Sequence, residues 1–206
     1  MDKISVFGGT GFVGSCFSKL YHDRVILIPR ESREPRSKNV LYLISTTDNY
    51  NVFDDIHKDI DTNLSILVDV LKNLKPSESV FNFVSSWFVY GGGDLPATEE
   101  SYCNPKGFYS ITKRCAEQLV ESYCKTFGIK YRIFRLCNVY GKGDLSVSKK
   151  KNALQYLIEK MKNNEPVNLY HGGLIYRDYM HVNDVSRAIS LVMDQGDYDT
   201  VYNIGT

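Results

Sequence analysis

Two hydrophobic periodicities alternate along the chain. Short, mostly apolar runs are followed by longer stretches in which apolar residues return at helical spacing. Such runs indicate strands buried on both faces, and such stretches indicate amphipathic helices. Their regular alternation predicts an α/β fold of the Rossmann type, with a doubly wound parallel sheet. The predicted strands are residues 4–7, 24–28, 40–44, 80–84, 131–136 and 167–170, and the predicted helices are residues 12–20, 60–71, 107–127, 153–161 and 185–193.

The connection between the second and third predicted strands is short. Nine residues, 31–39, separate Arg30 from the third of these strands, and they include Pro35 and five charged side chains. A crossover helix with a further strand needs far more than this. A bare loop suffices, because nine extended residues span about 30 Å and the crossing needs about 20 Å. We therefore expect the sheet to lack the outer strand, strand 3, that usually lies beside the adenine pocket.

A glycine-rich turn joins the first predicted strand to the first predicted helix. Residues 8–14 read Gly-Gly-Thr-Gly-Phe-Val-Gly and contain both G-x-G-x-x-G and G-x-x-G-x-x-G spacings. Glycines allow a tight turn and let a pyrophosphate approach the N–H groups of the helix N-terminus, whose dipole favours an anion. The alternative to a dinucleotide site is a tight turn that binds no ligand. We assign the dinucleotide site to Gly8, Gly11, Phe12, Val13 and Gly14.

The residues that follow the next two predicted strands bear on the choice of cofactor. In dinucleotide sites an acidic residue after the second strand bonds the ribose 2′-hydroxyl of NAD, whereas an arginine accommodates the 2′-phosphate of NADP. Arg30 and Arg33 favour NADP, and Glu31 leaves NAD as the alternative. The alternative is that these residues belong to a solvated charged loop that does not bind the cofactor. Ser45, directly after residues 40–44, is also assigned to the cofactor site.

Composition excludes several classes of function. The 206 residues suffice for one sizeable domain, or for one domain and part of another. With 25 Lys and Arg against 24 Asp and Glu, the chain has no overall field to attract nucleic acid or an anionic membrane. Five scattered cysteines without C-x-x-C spacing and four dispersed histidines predict reduced thiols and no metal site. Neither a membrane-spanning apolar run nor a signal-peptide pattern occurs, so we expect a cytoplasmic protein.

Candidate catalytic side chains lie in and before the helix predicted at 107–127. Tyr109 and Lys113 are four residues apart, so they share one helix face and the ammonium could act directly on the phenol. A nearby cation favours the phenolate at neutral pH. Ser86 falls at the carboxyl end of a predicted strand, where ligands bind in parallel sheets. Its hydroxyl could hold a substrate oxygen or cap a turn, and the tyrosine–lysine spacing also arises by chance in many helices.

Six motifs in a fixed order together resemble a known family. They resemble the extended short-chain dehydrogenase/reductases, also called the NAD-dependent epimerase/dehydratase family, which act on nucleotide sugars. The resemblance covers nearly the whole chain, and although each motif is weak alone, their shared order makes coincidence negligible. The motifs are residues 8–14, residues 61–63, residues 85–91, Pro105 with Tyr109 and Lys113, residues 138–141 and residues 177–184.

The resemblance implies roles for individual residues. Ser86 matches the catalytic serine or threonine of the family, and Tyr109 matches its acid/base. Lys113 matches the lysine that holds the nicotinamide ribose and lowers the pKa of the tyrosine. Asn138 and Arg177 match positions that contact the nucleotide sugar, the arginine near its diphosphate. Without the resemblance, these last two would be interpreted as a strand-end cap and a surface ion pair.

Two departures from the family pattern bear on the activity. Dehydratases of the family carry an Asp-Glu pair that eliminates water at sugar C5 and C6, and here Trp87 and Phe88 occupy those positions. We therefore expect an NAD(P)-dependent nucleotide-sugar epimerase or 4-ketoreductase that moves a hydride at sugar C4. The chain also ends where relatives continue. We accordingly expect an NAD(P)-binding domain at 1–165 and a short or incomplete substrate-binding lobe at 166–206.

Two further expectations concern partners and the alternative function. In relatives the helices equivalent to 58–73 and 107–127 often pair between copies, so a homodimer is the expected assembly. A non-catalytic dinucleotide-binding or scaffold protein derived from the same family is the alternative, which a short C-terminal region and a thinned sheet would favour. The intact Ser86, Tyr109 and Lys113 favour the enzyme.

Overall fold

A sheet of six parallel strands organises the structure, a computed structural model that describes residues 2–48, 51–92, 96–144 and 153–206. The first five strands arise from the predicted apolar runs, since helices cover both faces and side chains on each face must be apolar. These are β1 (Ile4–Phe7), β2 (Val25–Leu27), β3 (Asn39–Tyr42), β4 (Val80–Ser86) and β5 (Lys130–Leu136). β6 (Asn138–Tyr140) and β7 (Tyr179–His181) form a second sheet, and β8 (Thr200–Ile204) completes the first, whose order is β2-β1-β3-β4-β5-β8.

Helices cover both faces of the main sheet. One apolar core lies beneath the first and last helices, where Phe17, Val185 and Ile189 are buried. A second core lies on the opposite face, where Leu67 and Val120 are buried. The doubly wound α/β architecture predicted from the two periodicities is therefore confirmed. The helices are α1 (Phe12–Leu20), α2 (Lys58–Ile60), α3 (Ile66–Leu71), α4 (Phe108–Phe127), α5 (Ala153–Lys162) and α6 (Val182–Gln195). Within the described ranges, no helix is long and apolar enough to cross a membrane.

The predicted absence of the outer strand is confirmed. β2 lies at the edge of the sheet, and residues 28–38 contain no strand. The loop is held against β1 by the buried Ser5 hydroxyl, which accepts a hydrogen bond from Arg36 N at 2.8 Å and bonds Ser37 Oγ at 2.8 Å. These bonds satisfy a hydroxyl that would otherwise be buried without a partner.

Three small elements differ from the prediction. Residues 167–170, predicted as a strand, form none, and a 3₁₀ turn at Tyr170–Gly173 follows directly. His171 and Gly172 have φ values of 48° and 63° there, which end any extended run. The strands β6 and β7 were not predicted, because three-residue strands show no recognisable alternation.

The predicted domain boundary at residue 165 does not coincide with an edge of the main sheet. β8 pairs with β5 along its whole length, and α6 buries Val185 and Ile189 against the sheet. By contrast, β7 pairs with β6 outside that sheet. Residues 166–206 therefore contribute both to the main sheet and to the small second one.

Candidate active site

A cleft opens at the carboxyl ends of β1, β3, β4 and β5, the end of a parallel sheet where ligands bind. Its volume is ≈ 290 Å³. The glycine-rich turn forms one wall, and the segments after β3 and β4 and the first turns of α4 form others. The cleft thereby brings together most of the residues assigned from the sequence: Gly8, Gly11, Phe12, Val13, Gly14, Ser45, Ser86, Tyr109, Lys113 and Asn138.

The glycine-rich turn has a backbone that leaves no room for side chains where the cleft narrows. A Cβ atom on Gly14 would lie 2.2 Å from Gly8 O and 2.8 Å from Gly9 Cα, and Gly8 has a φ of 76°. Gly11 caps α1 without a side-chain hydrogen bond. The first N–H groups of a helix have no partner within it, so those of α1 are available to an anion in the cleft. The turn therefore fits the pyrophosphate of a dinucleotide.

Tyr109 lies in the first turn of α4 and is half-buried beside the cleft. The hydroxyls of Ser86, at the end of β4, and Ser45, after β3, lie close enough to the phenol to act on its pKa. Burial raises the pKa of the phenol; the two serine hydroxyls offset part of that rise, and the carboxylate of Asp59 adds to it. The phenol is therefore protonated at neutral pH. This net shift is opposite in sign to the lowering expected from Lys113.

Ser86 caps a turn, one of the two roles that the sequence left open, and its contact with a substrate oxygen stays a prediction. Its Oγ accepts a hydrogen bond from Phe88 N at 3.3 Å and so caps the 3₁₀ turn Trp87–Tyr90. The same hydroxyl lies beside the phenol of Tyr109 and acts to lower its pKa. The cap therefore fixes the position of the hydroxyl next to the phenol.

Lys113 lies one turn beyond Tyr109 and is almost completely buried. Its Nζ donates a hydrogen bond to Val84 O at 2.7 Å and lies 4.3 Å from the centre of the Phe83 ring. Burial lowers the pKa of the ammonium to about 7, and the negative charge of Glu117 opposes this decrease. The ammonium is thus anchored to β4, and near neutral pH it is close to the midpoint of its titration.

A buried ion pair one turn further along α4 was not predicted. Glu117 accepts hydrogen bonds from Arg135 Nε at 3.1 Å, Arg135 Nη2 at 2.9 Å and Arg114 Nη1 at 2.7 Å. Arg135 also donates to Tyr90 Oη at 2.8 Å. Burial acts to raise the pKa of Glu117, but the hydrogen bond and charge of Arg135 outweigh it, so the pKa falls. The spacing of four residues from Lys113 was the available signal, since it places Glu117 on the same helix face.

A second buried polar cluster lies behind Ser45. A π-helical turn, Asp61–Ser65, joins α2 to α3 and carries the buried Asn63. The Asn63 amide accepts from Ser45 Oγ at 3.1 Å and from Thr46 N at 2.9 Å, and it donates to Thr46 Oγ1 at 3.0 Å. Thr46 Oγ1 in turn donates to the buried carboxylate of Asp59. The cluster fixes the segment that holds Ser45 against the phenol, and no pattern in the sequence marks Thr46 or Asp59 as buried.

Two aromatic side chains, Trp87 and Phe88, line the cleft next to Ser86. The centres of their rings are 4.4 Å apart. Phe88 meets the ring of Tyr109 edge-on, with centres 6.0 Å apart and planes at 87°. The guanidinium carbon of Arg177 lies 5.9 Å from the centre of the Trp87 ring. An aromatic wall, formed by Trp87 and Phe88, therefore connects the phenol to Arg177.

The remaining residues assigned from the sequence lie at the margins of the cleft. Asn138 lines it, and its Nδ2 donates to Asp178 O at 2.9 Å, as a strand-end cap would. Arg177 is exposed and reaches the site only through its position beside Trp87. Arg30 is exposed in the turn after β2, where its carbonyl accepts a bond from Arg33 Nη1 at 2.6 Å. The binding roles of these three residues stay predictions.

Comparison with protein families gives one match over most of the chain. Residues 48–205 match the model of the NAD dependent epimerase/dehydratase family. The matched region begins after β3 and ends directly after β8, so it contains the serine, tyrosine and lysine of the cleft and leaves the glycine-rich turn outside it. The assignment of the glycine-rich turn to the cofactor site therefore rests on its geometry and not on the family match.

Individual relatives fall into several activity classes. The chain is 29% identical over 182 residues to dTDP-D-glucose 4,6-dehydratase of Dictyostelium discoideum, a match that covers 81% of this chain and 41% of that protein. It is 25% identical over 171 residues to dTDP-4-dehydro-6-deoxyglucose reductase of Escherichia coli, covering 82% and 54%. The structure of UDP-glucose 4-epimerase from Thermotoga maritima, with UDP-glucose, aligns with a TM-score of 0.85 at 25% identity, covering 99% and 77%. The chain spans about half the length of these two curated relatives.

Proposed function

The chain belongs to the NAD-dependent epimerase/dehydratase family, and from that premise we propose that it is an NAD(P)-dependent nucleotide-sugar 4-ketoreductase. The proposal rests on the arrangement of the cleft, in which the phenol of Tyr109 lies beside the hydroxyls of Ser86 and Ser45 and one helical turn from the buried Lys113. Reduction of a ketone needs an acid beside the carbonyl oxygen, and a phenol with a raised pKa is in the acid form.

Each of these side chains has a part in the reduction. When bound, the reduced nicotinamide supplies the hydride that the carbonyl carbon at sugar C4 accepts. Tyr109 donates its phenolic proton to the carbonyl oxygen, which becomes the C4 hydroxyl, and Ser86 Oγ hydrogen-bonds the same oxygen. Lys113, whose Nζ is fixed by Val84 O, would hold the nicotinamide ribose with its remaining N–H groups, and its charge would stabilise the phenolate that proton donation leaves.

The glycine-rich turn and Arg30 would hold the adenine half of the cofactor. The N–H groups of the first turn of α1 would bind the pyrophosphate, which Gly8, Gly11 and Gly14 would allow to approach. Arg30 follows the edge strand β2 and favours the 2′-phosphate of NADP. NAD is the alternative, because Glu31 stands next to it. Tighter binding of NADH than of NADPH, measured by calorimetry, would contradict the preference for NADP.

A 4-epimerase is the second candidate, supported by the 25% identity to the solved UDP-glucose 4-epimerase. Its first step would require Tyr109 to accept a proton from the C4 hydroxyl, which the raised pKa of the phenol disfavours. The two reactions differ in stoichiometry. A reductase consumes one NAD(P)H for each sugar, whereas an epimerase interconverts sugars without net consumption of the cofactor.

Dehydration at C5 and C6 is disfavoured by the aromatic wall. Neither Trp87 nor Phe88 has a side chain that can give up or accept a proton at neutral pH. Both line the cleft beside the phenol, where such an acid and base would have to act. A dehydratase assay on UDP-glucose and dTDP-glucose should therefore yield no 4-keto-6-deoxy product.

We also propose that the protein is a cytoplasmic homodimer. Val68 on α3 and Ile111 on α4 expose apolar side chains on two helices that pack side by side. Covering such side chains with a second copy is favourable. Sedimentation velocity should give a mass twice that of the 23.5 kDa chain, and a monomer at all concentrations would contradict this assembly.

The substitution Tyr109→Phe tests the catalytic assignment. Turnover of a nucleotide 4-keto sugar with NADPH should fall by about 10²- to 10⁴-fold, because the variant has no proton to donate. Binding of NADPH should be retained. Tyr102→Phe is the matched control, since the Tyr102 ring is exposed and does not line the cleft.

Two outcomes would count against the enzyme. Unchanged turnover in Tyr109→Phe would remove the phenol from the mechanism. Binding of NADPH by the wild-type chain without turnover of any nucleotide sugar would favour the non-catalytic alternative.

A further inference from the structure

The carboxylate of Glu117 is enclosed in the protein one helical turn beyond Lys113. The two side chains lie on the same face of α4, and their exposed fractions are 0% for Glu117 and 2% for Lys113. A carboxylate in such surroundings is costly unless cations or hydrogen-bond donors compensate it. The fold therefore maintains a buried negative charge next to the lysine of the candidate site.

Lys113 and Glu117 end against adjacent positions of the main sheet. Lys113 Nζ donates to Val84 O of β4 at 2.7 Å, and Glu117 is bound by the guanidinium of Arg135 in β5. Arg135 pairs with Ser85, the residue that follows Val84, and neighbouring strands lie about 4.8 Å apart. The carboxylate and the amino group are therefore close together between α4 and the sheet, where neither is exposed to solvent.

Glu117 is the group whose charge acts on Lys113. The other groups around Lys113 and its neighbour Tyr109 come from four elements. They are the ring of Phe83 and the carbonyl of Val84 in β4, the phenol of Tyr109 in α4, the guanidinium of Arg135 in β5 and the carboxylate of Asp59 in α2. The ring and the carbonyl do not titrate, the guanidinium is bonded to Glu117, and Asp59 acts on the phenol. Attraction to the carboxylate of Glu117 favours the protonated amine and opposes the effect of burial.

The ion pair of Glu117 with Arg135 also joins α4 to β5, which by itself is a structural role. Resting on the proposed function, we propose that Glu117 is a positioning residue that keeps Lys113 charged for the reduction. An ammonium has three N–H groups, so it can donate one to Val84 O and the others to the nicotinamide ribose, and its charge stabilises a phenolate. A neutral amine would have one donor fewer and no charge to offer.

The charge of Lys113 can be followed by NMR without any substrate. In protein with isotopically labelled lysine Cε, the signal that is missing from Lys113→Met belongs to Lys113, and its shift with pH reports protonation. In Glu117→Gln the midpoint of this titration should fall by about 1 pH unit, since a nearby opposite charge has been removed. Glu117→Asp keeps the charge and should stay closer to the wild-type midpoint.

Glu121→Gln is the matched control for the NMR titration. It is the same substitution one turn further along α4, two turns from Lys113. It should leave the midpoint of the Lys113 titration unchanged.

The pH dependence of turnover separates this charge from a structural role. Lys113 is close to half protonated near pH 7 in the wild type. With a midpoint lower by about 1 pH unit, Glu117→Gln should reduce a nucleotide 4-keto sugar with NADPH about fivefold more slowly than wild type at about pH 7, and within about twofold of it at about pH 5.5. A general disturbance of the fold would lower turnover by the same factor at both pH values.

A second variant covers the case in which the first does not fold. Glu117→Gln leaves Arg135 buried without its carboxylate, which is strongly destabilising. Combining Glu117→Gln with Arg135→Gln removes both charges and leaves two amides that can bond each other. Because Glu117 is the charge that acts on Lys113, this double variant should also have a lower midpoint than wild type. Circular dichroism decides which of the two variants is used.

The outcomes separate this inference from the function on which it rests. An unchanged midpoint in the folded variant would overturn the role of Glu117 and leave the proposed reduction in place. An equal loss of turnover at both pH values would also overturn it, since the ion pair would then act through the fold alone. Absence of turnover in the wild type would remove the reduction, and the NMR midpoint would still decide whether Glu117 keeps Lys113 charged.

Discussion

Lys113 places its amino group inside the protein, with the carbonyl of Val84 2.7 Å from its Nζ. A lysine in water has a pKa of about 10.4, and burial brings that of Lys113 to about 7. The sequence suggested a cation that acts directly on the phenol. Instead, the ammonium and the phenol of Tyr109 both tend towards their neutral forms, because each is buried. A phenolate formed at Tyr109 would favour the protonated form of Lys113, so the two groups are suited to act together when a proton is transferred.

The burial of Lys113 predicts how stability depends on pH. In the unfolded chain this lysine keeps its proton up to its ordinary pKa of 10.5, whereas in the folded protein it releases the proton near pH 7. Between these values the unfolded state binds more protons, so the contribution of Lys113 to the free energy of unfolding rises with pH, by at most about 1.4 kcal/mol per pH unit. The stability advantage of Lys113→Met over wild type should therefore shrink from pH 7 to 10.5.

Urea denaturation of the two proteins at several pH values measures this difference. The comparison is needed because buried thiols such as Cys124, whose pKa is raised to about 12, change stability in the opposite direction at alkaline pH. Lys125→Met, at an exposed position of α4, is the control and should show no pH-dependent difference from wild type. A constant difference for Lys113→Met would mean that the buried lysine is not neutral in the folded protein.

Some residues of the site could be assigned from the sequence and others could not. Ser86, Tyr109 and Lys113 could be assigned because each has a fixed place relative to a strand end or a helix repeat. Glu117 and Asp59 could not, because carboxylates on helices are usually exposed. Their burial depends on partners from other elements, and those partners are known only after folding.

At the scale of elements, the glycine-rich turn is the most sharply constrained. A Cβ on Gly14 would approach Gly8 O to 2.2 Å, and a backbone oxygen cannot move aside as the end of a side chain can. Gly14→Ala should therefore displace the turn and weaken NADPH binding by about 10- to 100-fold, since a shift of about 1 Å in a site has effects of this size. Calorimetry with NADPH measures the loss.

The control for that substitution is Gly92→Ala. A Cβ at Gly92 would meet only the end of the Lys106 side chain, at 3.4 Å. NADPH affinity should be unchanged there, and circular dichroism should show that both variants are folded. An unchanged affinity in Gly14→Ala would mean that the turn does not hold the cofactor.

Helices and strands could be predicted where the length of a connection or the spacing of apolar residues left one interpretation. The missing outer strand followed from the nine residues available, since no strand and crossover can be built from so few. β6 and β7 could not be found, because they are three residues long and pair with each other across 38 intervening residues, 141–178. The backbone turn at His171 was equally hidden, since a positive φ outside glycine has no dependable sequence signal.

In the molecule as a whole, the last helix, α6, packs beside α1 on one face of the main sheet, and the last strand, β8, belongs to that sheet. Arg24, which precedes β2, donates to both carboxylate oxygens of Asp194 in α6, at 2.9 Å and 2.6 Å. β8 extends the sheet beyond β5. The alternation of strands and helices predicted this architecture, but it did not show that residues after 165 return to the main sheet, because that depends on pairing between distant segments.

The proposed function requires a hydride to move from the cofactor to C4 of a nucleotide sugar. NADPH labelled with deuterium at the transferring position of the nicotinamide, incubated with the chain and a dTDP- or UDP-4-keto-6-deoxyhexose, tests it directly. The sugar product should carry one deuterium in place of hydrogen, located at C4 by NMR. Deuterium at another carbon would contradict this reaction. So would a sugar that stays unlabelled although the protein binds both NADPH and the 4-keto sugar.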